Sequence, residues 1–291
     1  MKKLLLLFSA ITFITCTISS AQKTDTIGNS LLWRISSKDM NKPSYLFGTI
    51  HLICPTDYIW TKKMEECFKK CDEVCFEMDL ADPRVMMQIA TWMIDKDKKL
   101  KDYFTEDQYR IIQHYFKDSL GIDITMFQFQ QVKPVMLESL LALKTVSCPN
   151  PVAYEDKLKS KAIKNKKKVA GLEDPQEQIA LLENIPIDTV VKELLESTQG
   201  KSNDQEEYET LIKAYKKQDL SKLYSLIQAS KSDGDNLDEF IDERNEKWIG
   251  RMEERMEQKS VFFAVGAGHL WGEKGVINLL RQEGYTVEPV K

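Results

Sequence analysis

The sequence predicts an α/β (α+β) chain, with a small central β-sheet built from its N- and C-terminal segments and a large helical insertion between them. Three observations carry this. Short apolar runs with strand character cluster towards both ends, while the middle holds long segments with helical spacing of apolar residues. One run at each end leads into the same short pattern, LFGTIHL at Leu46–Leu52 and AVGAGHL at Ala264–Leu270. A sheet assembled from both ends with helices packed over it is the simplest way to bury these faces, and it makes the ends inseparable.

In chain order, strands are expected at Leu31–Ile35, Tyr45–Ile50, Val74–Met78 and Lys168–Leu172. Two more follow at Val261–Val265 and Tyr285–Val290, with a short helix between them that stops at Gly284. Amphipathic helices are expected at Pro83–Asp95, Thr105–Leu120, Lys133–Val146 and Asp174–Glu183, then as a charged helical run over Asp188–Lys259. Residues 22–291 read as one domain, with the insertion covering about 83–259 and holding the strand near 168–172. Loop tips are expected at Thr198–Asn203 and Asp233–Asn236, which are polar and glycine-bearing.

Residues 1–21 read as a signal peptide, with Lys2 and Lys3, an apolar stretch and small residues at Ser19, Ser20 and Ala21. The chain is therefore expected to be exported to a periplasmic or cell-envelope location. Cleavage after Ala21 frees it; cleavage before Cys16 would leave it lipid-anchored. No later stretch reaches the roughly 20 apolar residues that a transmembrane helix needs. The formal net charge of −4 argues against a nucleic-acid partner, which requires clustered Lys and Arg in excess. The basic run Lys164–Lys168 reads as a solvated helix end leading into a strand.

Beyond the leader, Cys54, Cys67, Cys71, Cys75 and Cys148 remain, an odd set in a compartment where disulfides persist. The four-residue steps between Cys67, Cys71 and Cys75 suit buried thiols better than a zinc ribbon. Cys54 and Cys148 each precede a proline in an expected loop, and a bridge between them is the expected pairing.

Chemistry centres on the repeated Gly-x-x-His-Leu. The chain has three histidines, and His51 and His269 share this context at the ends of strands that the fold would bring into one sheet. Gly48, Gly266 and Gly268 are placed to let backbone approach a ligand closely or take positive φ. Neutral imidazole is a common metal ligand, but two seldom hold a catalytic metal without a further donor. Glu77 and Asp79 close the third strand, and alternation would put both on one face if the strand extends that far. Glu77 is the better donor, with a salt-bridged strand end as its plain structural alternative. Glu173 follows the fourth strand in the same way and reads as a ligand, a supporting group or a charge at a helix start. Arg244, beside Asn245 in FIDERNEKWIGRM, is either on a solvated helix face or a guanidinium that pairs with a site carboxylate or an oxyanion. His114 sits in an amphipathic helix and is left out of the site. The chain has no G-x-S-x-G, H-E-x-x-H or P-loop motif, which removes support for serine hydrolases, the commonest zinc peptidases and P-loop NTPases.

The order GTIH, FEMD, GLE with Gln178, RN and VGAGHLWGEKGVINLLRQEGYTV resembles the TraB/GumN family over nearly the whole chain beyond the leader. That resemblance extends to the Tiki proteins and, more distantly, to the ChaN and erythromycin-esterase-like superfamily. It implies a divalent-metal-dependent hydrolase acting on a peptide or protein substrate. His51, Glu77 and His269 carry over as the metal and catalytic set, with Arg244 and Glu173 at recurrent polar positions. It favours manganese or cobalt, with zinc or iron as alternatives that affinity order does not separate. A non-catalytic envelope binder that sequesters a peptide signal or a metal complex is the alternative, since fold analogy does not settle the reaction.

Overall fold

A computed structural model describes residues 29–200, 204–229 and 238–291. The expected signal peptide, the anchor at Cys16 and the Asp233–Asn236 tip lie outside the described residues. So do residues 201–203 of the other tip, whose Thr198 instead closes a helix.

Six strands form one mixed sheet in the order β4-β3-β5-β2-β1-β6. They are β1 (Leu32–Ser36), β2 (Ser44–Thr49), β3 (Glu73–Met78), β4 (Lys168–Glu173), β5 (Val261–Gly266) and β6 (Thr286–Pro289), one for each apolar run expected from the sequence. β2, β5, β3 and β4 run parallel side by side, whereas β1 runs antiparallel to both β2 and β6. Parallel strands are covered on both faces, which explains why all of β2 and nearly all of β5 are buried, rather than alternating. Trp33, Phe47, Phe68, Phe262 and Phe263 fill the main core around this sheet.

The helices are α1 (Lys62–Lys70), α2 (Pro83–Trp92), α3 (Glu106–Leu120), α4 (Val135–Thr145), α5 (Tyr154–Lys164), α6 (Pro175–Glu183), α7 (Ile187–Thr198), α8 (Asp204–Lys216), α9 (Leu220–Ala229), α10 (Glu243–Gln258) and α11 (Val276–Gln282). Helix α11 ends two residues before Gly284, whose φ of +88° needs no side chain to be accommodated. The basic run lies where the sequence placed it, between the end of α5 and the start of β4, and Lys167 reaches back to the Lys69 carbonyl at the end of α1. Within the insertion, α3, α4 and α7 enclose a second apolar cluster around Ile112, Phe116, Leu137, Leu141 and Leu194. His114 is exposed on α3, part of that outlying bundle.

Cys54 and Cys148 form a disulfide, as expected, while Cys67, Cys71 and Cys75 are buried free thiols. The disulfide sits beside an isolated pairing of Ile53 with Val152. Together they tie the loop after β2 to the segment that enters α5.

Candidate active site

Four parallel strands deliver their carboxyl ends to one edge of the sheet. Thr49 of β2 lies opposite Gly266 of β5, so the two Gly-x-x-His segments leave the sheet at the same level. Glu77 stands near the end of β3, and Glu173 ends β4 opposite Met78. Such an edge is where open parallel sheets place ligands, because loops there project side chains from a rigid base. A cleft of about 220 Å³ opens there, lined by His51, Glu77, Arg244 and His269 among others. A larger cavity of about 560 Å³ between α8 and α9 shares only Leu211 with it and contains none of these four residues.

His269 is held in one tautomer. Its Nδ1 lies 2.7 Å from Asn245 Oδ1, and Asn245 Nδ2 donates to the carbonyls of Lys274 at 2.9 Å and His269 at 3.3 Å. With the amide nitrogen committed as donor, Oδ1 must accept, so Nδ1 carries the proton and Nε2 keeps its lone pair. The ring packs on Trp248 with centroids 4.4 Å apart. Burial pushes the His269 pKa down to about 4, with the Arg244 charge adding to the effect and Glu77 opposing it. The ring is therefore neutral at pH 7, with Nε2 3.9 Å from Glu77 Oε1.

Glu77 is an ionised carboxylate locked on two sides. Its Oε1 accepts from the Gly266 N–H at 2.9 Å and its Oε2 from Arg244 Nη2 at 2.6 Å. Burial alone would raise its pKa, but the charges of His269 and Arg244 outweigh it and hold the group at about 2. Since His269 is itself neutral, Arg244 is the main partner near pH 7, with the charged His51 adding to it.

Arg244 is the hinge of the arrangement. Its Nε and Nη2 clamp Glu173 at 2.8 and 2.9 Å, Nη1 donates to the Phe240 carbonyl at 3.0 Å, and Nη1 lies 3.4 Å from His269 Nε2. A π-helical turn, Asp238–Asp242, runs straight into α10 and supplies that carbonyl. Trp248, one turn further along α10, stacks against the guanidinium and donates to Glu173 Oε1 at 2.8 Å. Gln178 completes the Glu173 shell at 2.9 Å. Four donor contacts therefore saturate Glu173, which orients Arg244 and leaves no open lone pair for a cofactor.

His51 stands apart at the mouth of the cleft. Its side chain is 79% exposed, and its Nδ1 lies 3.6 Å from Glu155 Oε1. That carboxylate raises the His51 pKa to about 9, with Glu77 assisting. His51, Glu77 and His269 thus influence one another across one cleft.

Two expectations need correction. Asp79 does not join Glu77 on a sheet face, because β3 stops at Met78 and the Asp79 side chain caps the Ala81 N–H in a turn. Gly48, Gly266 and Gly268 are not positive-φ residues. Gly48 serves close packing instead: a Cβ there would come within 3.1 Å of the Ala267 Cα, so β2 and the turn after β5 would have to give by a few tenths of an ångström to hold one. Gly266 serves through its N–H, and a Cβ on Gly268 would meet Ile227 Cδ1 at 2.8 Å. Sequence reading named Asn245 beside Arg244 without giving it a role, and it missed Trp248 and Glu155. Trp248 lies four residues after Arg244 on one helix face, a spacing visible in RNEKW, whereas nothing in the sequence singles out Glu155.

The donor chemistry fits a divalent ion in part. Ligand bonds of about 2.1 Å at tetrahedral angles put donor atoms about 3.4 Å apart, close to the 3.9 Å between His269 Nε2 and Glu77 Oε1. Among the described residues, no three His, Cys, Asp or Glu side chains already converge as a metal cage. His269 and Glu77 thus stand near ligand spacing, His51 stands at the rim of the same cleft, and Arg244 is the resident cation on Glu77.

Comparison with known proteins adds the family. The TraB/PrgY/gumN family pattern matches residues 31–289. The chain belongs to this family. It is 28% identical to metalloprotease TIKI2 of Xenopus tropicalis, over 89% of this chain and 60% of that protein. It is likewise 28% identical to metalloprotease TIKI1 of Homo sapiens, over 89% of this chain and 62% of that protein, and 23% identical to a metalloprotease TIKI homolog of Amphimedon queenslandica. The chain thus spans about three fifths of the length of these relatives. No solved structure matches the chain significantly. Among the described residues, no helix is long and apolar enough to cross a membrane.

Proposed function

We propose that the chain is an exported, divalent-metal-dependent hydrolase that cleaves peptide bonds. The observation that carries this reading is the fixed Nε2 lone pair of neutral His269, 3.9 Å from the Glu77 carboxylate at the carboxyl edge of the sheet. The TIKI relatives, named metalloproteases, support the reaction class. His269 and Glu77 would hold the ion with His51 closing from the rim. Manganese or cobalt leads on resemblance, and zinc or iron also suits mixed imidazole and carboxylate donors. The ion, when bound, lowers the pKa of a bound water from about 15.7 towards 7 and polarises the scissile carbonyl.

The protein's own groups then divide the work. Glu77, held near pKa 2, is too weak a base to take a proton efficiently at neutral pH, which favours an anionic ligand over a general base. Asn245 keeps His269 in the tautomer that presents Nε2. Arg244, locked by Glu173, keeps Nη1 at the cleft, where it would stabilise charge developing on the carbonyl oxygen. The Cys54–Cys148 disulfide supports export to an oxidising, envelope-side compartment.

A second reading is a non-catalytic binder. Its support is that Arg244 already supplies the counter-charge to Glu77 and that, among the described residues, no three His, Cys, Asp or Glu side chains converge as a metal cage. Mass-spectrometric screening of a peptide library with Mn²⁺ or Co²⁺ separates the two. The hydrolase reading expects metal-dependent new termini that vanish with Glu77→Gln; peptide retention without cleavage, unchanged by chelator, would replace it with the binder.

A further inference from the structure

The two histidines have parallel surroundings, each with its Nδ1 facing a side-chain oxygen delivered by a helix. For His269 that oxygen is Asn245 Oδ1 from α10, at 2.7 Å. For His51 it is Glu155 Oε1, in the first turn of α5, at 3.6 Å. Glu155 is well placed to act. It is 19% exposed, and the same Oε1 accepts the Thr49 hydroxyl at 2.8 Å, two residues before His51. Several covalent and hydrogen-bonded links nearby join the same two segments. The Cys54–Cys148 disulfide, both hydrogen bonds of the Ile53–Val152 pair and the Tyr154 hydroxyl on the Ile59 backbone fasten the loop after His51 to the start of α5.

We propose that Glu155 is the positioning residue for His51, accepting from Nδ1 and so presenting Nε2 to the cleft, with the disulfide-clamped loop as the frame that fixes it. A separation of 3.6 Å is longer than a hydrogen bond, and closing it takes a shift of about half an ångström. The relevance to metal binding rests on the hydrolase reading above, where His51 is the third donor. An outer carboxylate that fixes a ligating imidazole changes metal affinity by roughly 10–100-fold.

The test uses ¹⁵N-histidine-labelled chain and two variants. In metal-free protein, at a pH where the His51 ring is neutral, two-bond ¹H–¹⁵N correlations report which ring nitrogen carries the proton. Wild type is expected to show the Nδ1–H form. Glu155→Gln, which keeps an oxygen acceptor, is expected to retain it, and Glu155→Ala is expected to shift to the mixture found in free imidazole. Calorimetric titration with Mn²⁺ alone is then expected to show roughly 10–100-fold weaker binding for Glu155→Ala and near wild-type binding for Glu155→Gln. A purely packing role for Glu155 would lower stability without moving the tautomer. An unchanged tautomer in folded Glu155→Ala overturns the proposal; if that variant does not fold, wild type and Glu155→Gln without the Nδ1–H form overturn it equally. Wild type that binds no metal sinks the hydrolase reading while the tautomer comparison still decides the role of Glu155.

Discussion

Holding His269 neutral in a buried site makes the metal-free protein acid-sensitive in a defined window. An ordinary histidine titrates near 6.5, whereas burial brings His269 to about 4 in the folded chain. With the folded pKa depressed, the unfolded chain binds more protons as pH falls below 6.5. The stability contributed by the neutral ring is thus complete above pH 6.5 and is lost progressively down to about pH 4. Linkage puts the loss at roughly 2 kcal/mol by pH 5, or about 3 kcal/mol by pH 4. Comparing pH 7 with pH 5 keeps the measurement above the ordinary carboxylate range, so Glu77 and the other acids add little. The assay is urea unfolding in chelator at both pH values, for wild type and His269→Gln, with the difference between the two proteins cancelling the shared contribution of His51. Wild type is expected to lose roughly 2 kcal/mol more than the variant between pH 7 and pH 5. Parallel losses, agreeing within about 0.5 kcal/mol, would refute a neutral, buried His269.

Further predictions concern the frame. Arg244→Ala strands the Glu77 and Glu173 carboxylates, and a loss of about 3–5 kcal/mol is expected in chemical denaturation; a loss under about 1 kcal/mol would mean that the pairs are solvent-screened. Gly48→Ala pushes a methyl against the Ala267 backbone and is expected to cost about 1–3 kcal/mol, whereas a neutral result would show that the turn after β5 can yield. Replacing Cys54 and Cys148 by serine opens a loop of 94 residues, for which chain entropy gives a loss of about 4–5 kcal/mol; an unchanged urea midpoint would show that the Ile53–Val152 pairing suffices.

The sheet was legible because its central strands β2 and β5 are buried on both faces and stand out as unbroken apolar runs, and all six strands fall within one or two residues of the expected bounds. Helix α1 was not, since KKMEECFKK buries only Met64, Cys67 and Phe68 and otherwise reads as charge. The chemistry was legible where it repeats: His51 and His269 share a motif, and Glu77 ends a strand. It was not legible where it depends on a neighbour. Asn245 looks like one more polar residue on a charged helix, yet it is fully buried because both its amide donors and its oxygen have partners. Glu173 could be read as a ligand until Arg244, Trp248 and Gln178 were seen to occupy its oxygens. The separation of His51 from the other pair is tertiary as well, set by where the loop after β2 is clamped to α5 rather than by any feature of the motif.

The proposed function turns on one divalent ion held jointly by His51, Glu77 and His269. Elemental analysis of the purified chain after incubation with manganese, cobalt or zinc, beside His51→Ala and His269→Ala, tests it most directly. The account predicts near one ion per wild-type chain and little in either folded variant; equal metal in all three proteins, or none in wild type, would contradict it.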